Sequence, residues 1–168
     1  YIPAGDTVRI LDAVNVLHMT ADGQPPLLGR RVVVYGGGNT AMDAARTAKR
    51  LGAYEAIVVY RRTQAQMPAH ETELKEALEE GVVMRWLSTI AWVNSGAVTI
   101  EKMVLDENGK PQPTGEFESI EADSVVLALG QDVDLSVVEG INEISVNDGV
   151  IETDSFLMTG KPGIFAGG

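Results

Sequence analysis

Residues 31–62 read RVVVYGGGNTAMDAARTAKRLGAYEAIVVYRR, and this stretch decides the fold. Arg31–Tyr35 is a near-continuous β-branched run, as a strand buried on both faces requires. Thr40–Leu51 puts alanines at 41, 44, 45 and 48, a helical spacing. Gly52 follows at the position where a left-handed backbone suits glycine. Ala56–Tyr60 is a second buried strand. Between the first strand and the helix, Gly36-Gly37-Gly38-Asn39-Thr40-Ala41 matches G-x-G-x-x-A. Alone the pattern is weak. Placed after a strand and at the opening of a helix, it has the context of a dinucleotide-binding turn. Gly36 permits the tight turn, Gly38 lets the backbone approach a pyrophosphate, and Ala41 lets helix and strand pack closely. The helix amides then face the phosphates. Gly37 lies inside the same turn. Asn39 and Thr40 fit either a phosphate contact or a helix cap. Asp43 is expected to face away. An ordinary tight turn is the weaker reading, because three consecutive glycines lose much backbone entropy on ordering.

The end of the second strand selects the ligand. A site for NAD or FAD places an acidic residue about 20 positions after the fingerprint, where it binds a ribose hydroxyl. Here the strand ends Tyr60-Arg61-Arg62-Thr63, with no acid nearby. Arginine at this point suits a 2′-phosphate, gripped through charge-assisted bonds. Either arginine alone could pair with a surface carboxylate, so the pair carries the reading, and NADPH is the expected cofactor. Residues 30–62 hold Arg30, Arg31, Arg46, Lys49, Arg50, Arg61 and Arg62 against Asp43 and Glu55 only, in a chain of net charge −11. A basic stretch around a glycine turn in an acidic protein points to a small anionic ligand.

Outward from this unit, Leu11–Met19 has helical apolar spacing, and Ala21–Gly29 is a Pro/Gly loop. Pro68–Glu80 is predicted as a second helix with Pro68 in its first turn, and Glu71, Glu73, Glu76, Glu79 and Glu80 as its solvated face. Val82–Leu87 is a third strand. Val98–Leu105 and Glu116–Ile120 are strand-like and joined by a turn-rich stretch in which Asn108-Gly109 is a hairpin signal. Val125–Leu129 is another buried strand, and Ile144–Thr153 reads as a hairpin. The expected fold class is α/β: a Rossmann-type parallel sheet with a three-stranded antiparallel β-meander crossover. The expected domains are 1–28, an N-terminal helix and linker; 29–130, the nucleotide-binding domain; and 131–168, a return segment.

The chain has 168 residues and no cysteine, so thiol chemistry and iron–sulfur ligation within it are excluded. Its acidity argues against nucleic acid as a partner. No apolar run reaches the roughly 18 residues of a membrane span, no secretory signal is visible, and a cytoplasmic location is expected. His18 and His70 lack metal-like partners at helical spacing, so no metal site is expected. Trp86 and Trp92 are expected in the core. No Ser-His-Asp or paired-carboxylate arrangement is present, and no catalytic residue is expected.

The segments VVVYGGGNTAMDAARTAKRLGA (32–53), VVYRRTQAQMPAHETELKEALEEGV (58–82), VVLALGQ (125–131) and PGIFAGG (162–168) together resemble the NADPH-dependent glutamate synthase small (beta) subunit family. The same pattern belongs to its relatives among dihydropyrimidine dehydrogenases and NADPH–ferredoxin oxidoreductases. The resemblance runs over roughly residues 27–168. It implies a two-dinucleotide flavoprotein in which an NADPH domain interrupts an FAD domain. Gly36, Gly38 and Ala41 would line the pyrophosphate, and Arg61 and Arg62 the 2′-phosphate. Ala128, Leu129, Gly130 and Gln131 would form the loop returning toward the FAD domain, and Gly163–Gly168 would lead into a flavin motif. Residues 1–28 and about 131–168 would be pieces of that FAD domain. Related reductases often carry a further basic residue after the arginine pair, where this chain has Thr63-Gln64-Ala65-Gln66.

The implied function is the NADPH-binding domain of a flavin-dependent, iron–sulfur-linked oxidoreductase, docking NADPH for hydride transfer to FAD. Hydride chemistry belongs to the cofactors, so this stretch, as part of a longer protein, is expected to bind without turnover on its own. Its partners would be the FAD domain and a glutamate synthase large subunit or another iron–sulfur electron-transfer protein. Exposed apolar surface would favour dimerisation of the isolated piece. The alternatives are a non-catalytic nucleotide-binding module of the same fold and a site for FAD or another adenine nucleotide.

Overall fold

Val32, Val33 and Val34 are all fully buried, and that is possible only for a strand covered on both faces. The computed structural model, which describes residues 8–129, 146–147 and 150–151, supplies both covers. In chain order the elements are β1 (Arg9–Asp12), α1 (Ala13–Ala21), β2 (Arg31–Tyr35), α2 (Asn39–Arg50), β3 (Glu55–Val59), a 3-10 turn (Gln64–Gln66) and α3 (Glu71–Glu79). Then follow β4 (Val83–Arg85), β5 (Ser88–Asn94), β6 (Ala97–Leu105), β7 (Pro111–Glu121), β8 (Ser124–Leu127), β9 (Val146–Asn147) and β10 (Val150–Ile151).

The central sheet has the order β1-β8-β2-β3-β4, and every pairing in it is parallel. Alternation along its strands divides the core. Val32, Val34, Val58 and Val126 face the helices, where they meet Val16, Met42, Ala45 and Leu74. Val33, Ile57, Val59 and Val125 face the other way, onto Ile90, Val93, Val98 and Ile100 of the antiparallel sheet β5-β6-β7. The result is three layers: helices, parallel sheet, meander. This is the α/β fold with an antiparallel three-stranded crossover that the sequence implies.

Several boundaries differ from the sequence-based expectation. Leu11 belongs to a strand: β1 pairs with β8, and the helix begins only after Asp12, whose carboxylate accepts the Asn15 N–H at 3.0 Å. The compact unit holding both sheets includes these N-terminal residues and runs to Gly130. β5 was not expected as a separate strand. β7 begins at Pro111, inside the stretch read as a turn. Proline is tolerated there because β7 is an edge of the meander, with Pro111 and Pro113 opposite Leu105 and Met103. Helix α2 closes as expected at Gly52, where φ is +98°. The Ala53 N–H reaches the Ala48 carbonyl and the Gly52 N–H the Lys49 carbonyl, the bond pair of a Schellman cap. In the second unit, Gln131–Gly168, β9 and β10 pair antiparallel, as the expected hairpin requires.

Of the glutamates expected on a solvated face, Glu71, Glu76 and Glu79 are exposed and Glu73 and Glu80 are half-buried, but Glu73, Glu76 and Glu80 do more than meet water. They line up against α2, where Arg46 pairs with all three and Arg50 with Glu80. The two helices are thereby joined by charge as well as by the contact of their apolar sides.

Candidate functional site

In a parallel sheet all the carboxyl ends lie on one edge. Ligands bind at that edge where the strand order reverses. Here the reversal falls between β2, which continues through α2 to β3 on one side, and β8 on the other. The glycine turn stands at this crevice.

Each glycine answers a different demand. Gly36 has φ +147°, and a Cβ on it would collide with the Ala128 carbonyl. A Cβ on Gly37 would strike the Tyr60 ring. Gly38 has no atom within 4 Å of the Cβ position, so the space in front of it is open. Its backbone is extended (φ −90°, ψ 179°), it is the N-cap residue of α2, and no side chain caps that helix. The Ala41 and Met42 N–H groups donate to the Gly38 carbonyl, and the Asn39 and Thr40 amides ahead of them are left for an acceptor from outside the helix. Ala41 is fully buried, as close helix–strand packing requires.

Asn39 is neither a cap for α2 nor open to a ligand through its carbonyl oxygen. That oxygen accepts the His70 N–H at 2.9 Å. Next to it the Ala69 N–H donates to the Gly37 carbonyl at 3.0 Å. The Met67-Pro68-Ala69-His70 segment is therefore strapped along the glycine turn in an extended form. α3 therefore starts at Glu71 and not at Pro68: His70, with φ −65° and ψ 145°, is still extended and serves as the N-cap residue. Thr40 sits partly buried on the first turn of α2. Asp43 is exposed.

Tyr60 joins this strap to the arginine pair. Its ring lies under Gly37, its hydroxyl donates to the Gln66 carbonyl at 2.9 Å, and Trp86 meets it edge-on with ring centroids 6.2 Å apart. Burial pushes the Tyr60 hydroxyl above its ordinary pKa, with Arg62 and Arg61 pulling the other way. Nothing in the sequence marked Tyr60 or Gln66 beyond their nearness to the arginines.

Arg61 is exposed and Arg62 half-buried. Neither guanidinium is in an ion pair with a described residue, and the buried Arg62 Nε has no hydrogen-bond partner. Four more cations of the basic stretch are engaged within the protein. Arg31 pairs with Glu55 and Glu121, Arg46 and Arg50 with α3, and Lys49 donates to the Tyr54 carbonyl. Arg30 lies at the amino end of β2, on the opposite edge of the sheet. The local charge excess thus reduces, at the candidate site, to Arg61 and Arg62.

Ala128 is buried, donates its N–H to the Tyr35 carbonyl at 2.9 Å, and closes the crevice from the β8 side. Leu129 is exposed. Gly130, Gln131 and Gly163–Gly168 lie outside the described residues. His18 and His70 are both exposed, and no group of metal-ligating side chains occurs among the described residues. Trp86 packs against the helix-side core, whereas Trp92 is not in the core: it is part-exposed on the meander and stacks on Phe117. No helix among the described residues is long and apolar enough to cross a membrane.

The sequence pattern of the pyridine nucleotide-disulphide oxidoreductase family matches residues 3–168. Over 168 aligned residues the chain is 42% identical to the NADP(+)-dependent formate dehydrogenase subunit beta of Moorella thermoacetica, covering 89% of this chain and 23% of that one. It is 35% identical to the glutamate synthase [NADPH] small chain of Azospirillum brasilense, covering 100% of this chain and 37% of the relative. The chain thus spans well under half the length of these curated relatives. Among solved structures, the thioredoxin reductase of T. acidophilum superposes with a TM-score of 0.66 at 18% identity, over 96% of this chain and 49% of that one. The oxidoreductase FprA of Mycobacterium tuberculosis does so with a TM-score of 0.60 at 19% identity, over 77% of this chain and 46% of the other. These two likenesses are of fold.

Proposed function

The chain belongs to the pyridine nucleotide-disulphide oxidoreductase family, and from that premise we propose that the carboxyl edge of β2, β3 and β8 docks NADPH. The observation that carries the proposal is the arginine pair at the end of β3. Two guanidinium groups without carboxylate partners stand beside a glycine turn that leaves open space at Gly38. A cradle that a Cβ would fill, together with uncapped helix amides, fits a pyrophosphate. Two arginines in place of an acid fit a 2′-phosphate.

On this reading the backbone of Gly36–Ala41 holds the pyrophosphate, and Arg61 and Arg62 hold the 2′-phosphate. Ala128 and Leu129, at the end of β8, border the nicotinamide side. Residues 29–130 form the docking unit, with β1 and α1 as its added edge, and residues 131–168 lead back toward an FAD domain. When bound, NADPH supplies a hydride, accepted in the whole protein by FAD, with electrons passing on to an iron–sulfur partner of the glutamate synthase type. The work of this chain's residues is to bind and orient. Tyr60 fixes the floor of the turn, and the strapped 67–70 segment fixes its side, so the cradle is formed before the ligand arrives.

Calorimetric titration tests the proposal. The protein is expected to bind NADPH at least about tenfold more tightly than NADH, since each charge-assisted bond to the phosphate is worth about 1.5–3 kcal/mol. The Arg61→Ala/Arg62→Ala variant should lose that preference. Equal affinity for the two cofactors in the unmodified protein, or a preference that survives in the variant, overturns it.

A further inference from the structure

Among the described residues, only Arg30, Arg61, Arg62 and Lys110 are cations whose side chains have neither an ion pair nor a hydrogen bond. Arg30 lies on the far edge of the sheet. Lys110 is carried by the β6–β7 hairpin, distant in sequence from the arginine pair, yet the fold brings the hairpin tip to Gln66, in the loop that follows that pair. Gln66, four residues after Arg62, donates from Nε2 to the Gly109 carbonyl at 3.0 Å. Its own carbonyl accepts the Tyr60 hydroxyl, and its N–H donates to the Thr63 carbonyl at 3.1 Å. One residue therefore links the arginine-bearing loop, the floor of the glycine turn and the hairpin tip.

The tip is itself rigid. The Asp106 carboxylate accepts the N–H groups of Asn108 and Lys110, both at 2.9 Å, and the Gln112 side chain at 3.1 Å. The Asp106 N–H in turn donates to the Lys110 carbonyl at 2.9 Å. With the charge of Asp106 engaged inside the tip, Lys110 and Glu107 are its exposed charges. A phosphate monoester carries between one and two negative charges near neutral pH, and a lysine on a long flexible stem can follow it without a fixed fork geometry.

We propose that Lys110 is a third cation of the 2′-phosphate site, a specificity-determining residue supplied by the meander and positioned by the bond from Gln66 to Gly109. The proposal rests on the NADPH reading above. It separates from that reading because its residue lies on a different element.

The test uses two probes that differ only by the phosphate in question, adenosine 2′,5′-bisphosphate and adenosine 5′-monophosphate, titrated calorimetrically at low and moderate salt. Lys110→Gln is expected to weaken the bisphosphate about three- to tenfold, the size of one exposed charge contact, and to leave the monophosphate unchanged. The loss should shrink as salt rises. Lys110→Arg should keep the wild-type ratio. Gln66→Ala, which frees the tip, should lower the ratio in the same direction. If Lys110→Gln binds both probes like wild type while Arg61→Ala/Arg62→Ala loses the bisphosphate, Lys110 has no part and the NADPH reading stands. If Lys110→Gln weakens both probes equally, the tip only supports the fold and the proposal falls. If the double arginine variant retains its ratio, the NADPH reading falls, and this inference with it.

Discussion

Gly36 and Gly38 stand two residues apart and do opposite work. Gly36 is needed by the protein itself, because its φ of +147° and the Ala128 carbonyl both exclude a side chain. Gly38 is constrained by nothing within the protein. Gly36→Ala is therefore expected to lower stability by about 1–3 kcal/mol, read as a fall in the urea midpoint. Gly38→Ala should leave that midpoint nearly unchanged and weaken NADPH binding. A Gly38→Ala protein that binds normally would show that the open space is not the pyrophosphate cradle. The sequence pattern points to both glycines with equal force, and only the contacts separate their roles. The same holds for Asn39. Its position admits a cap or a phosphate contact, whereas its partner, His70, lies 31 residues away and is beyond any local reading.

At the scale of elements, the central strands β2, β3 and β8 were legible because burial on both faces leaves an unbroken apolar run, whereas the edge strand β1, only partly buried, was hidden in a stretch with helical spacing. Helix α2 was legible from its alanine spacing and terminal glycine. The start of α3 and the extent of β7 were not, because each is set by a long-range partner. The glycine turn draws out residues 67–70, and the edge position of β7 excuses its prolines. The α2–α3 joint was also illegible, since a row of glutamates reads alike whether it faces water or arginine. That joint predicts an acid limb. Bonds from Arg50 and Arg46 hold the Glu80 carboxyl below its ordinary value near 4.5. A depressed pKa contributes stability that is present above the unfolded value and lost as pH falls through the folded one. The urea midpoint should therefore drop as pH is lowered below about 4.5, and Glu80→Gln should show a shallower drop with a lower plateau at neutral pH. An identical pH profile in wild type and variant would remove Glu80 from the joint.

For the whole molecule, the layered architecture puts the proposed site at the carboxyl edge of the parallel sheet, where Gly38 has open space before it. The glycine turn marked that edge in the sequence, and the arginine pair carries the proposed selection of a 2′-phosphate. The broader charge argument was only partly sound, because folding pairs Arg31, Arg46 and Arg50 of the basic stretch with carboxylates, most of them far away in the chain. A ligand that binds only the folded chain stabilises it by mass action, by about 2.7 kcal/mol at a hundred times its dissociation constant. NADPH should accordingly raise the thermal midpoint in a concentration-dependent way. NADH at the same concentration should raise it less, and equal shifts would count against the 2′-phosphate site. The meander carries a further consequence at this scale. Its outer strand β7 presents Pro111 and Pro113 along the edge, and proline has no N–H to offer an incoming strand. Two of the donors that would template edge-to-edge growth are missing, and exposed sheet edges are the usual seeds of aggregation. At this end of β7 the fold withholds backbone donors from an incoming strand.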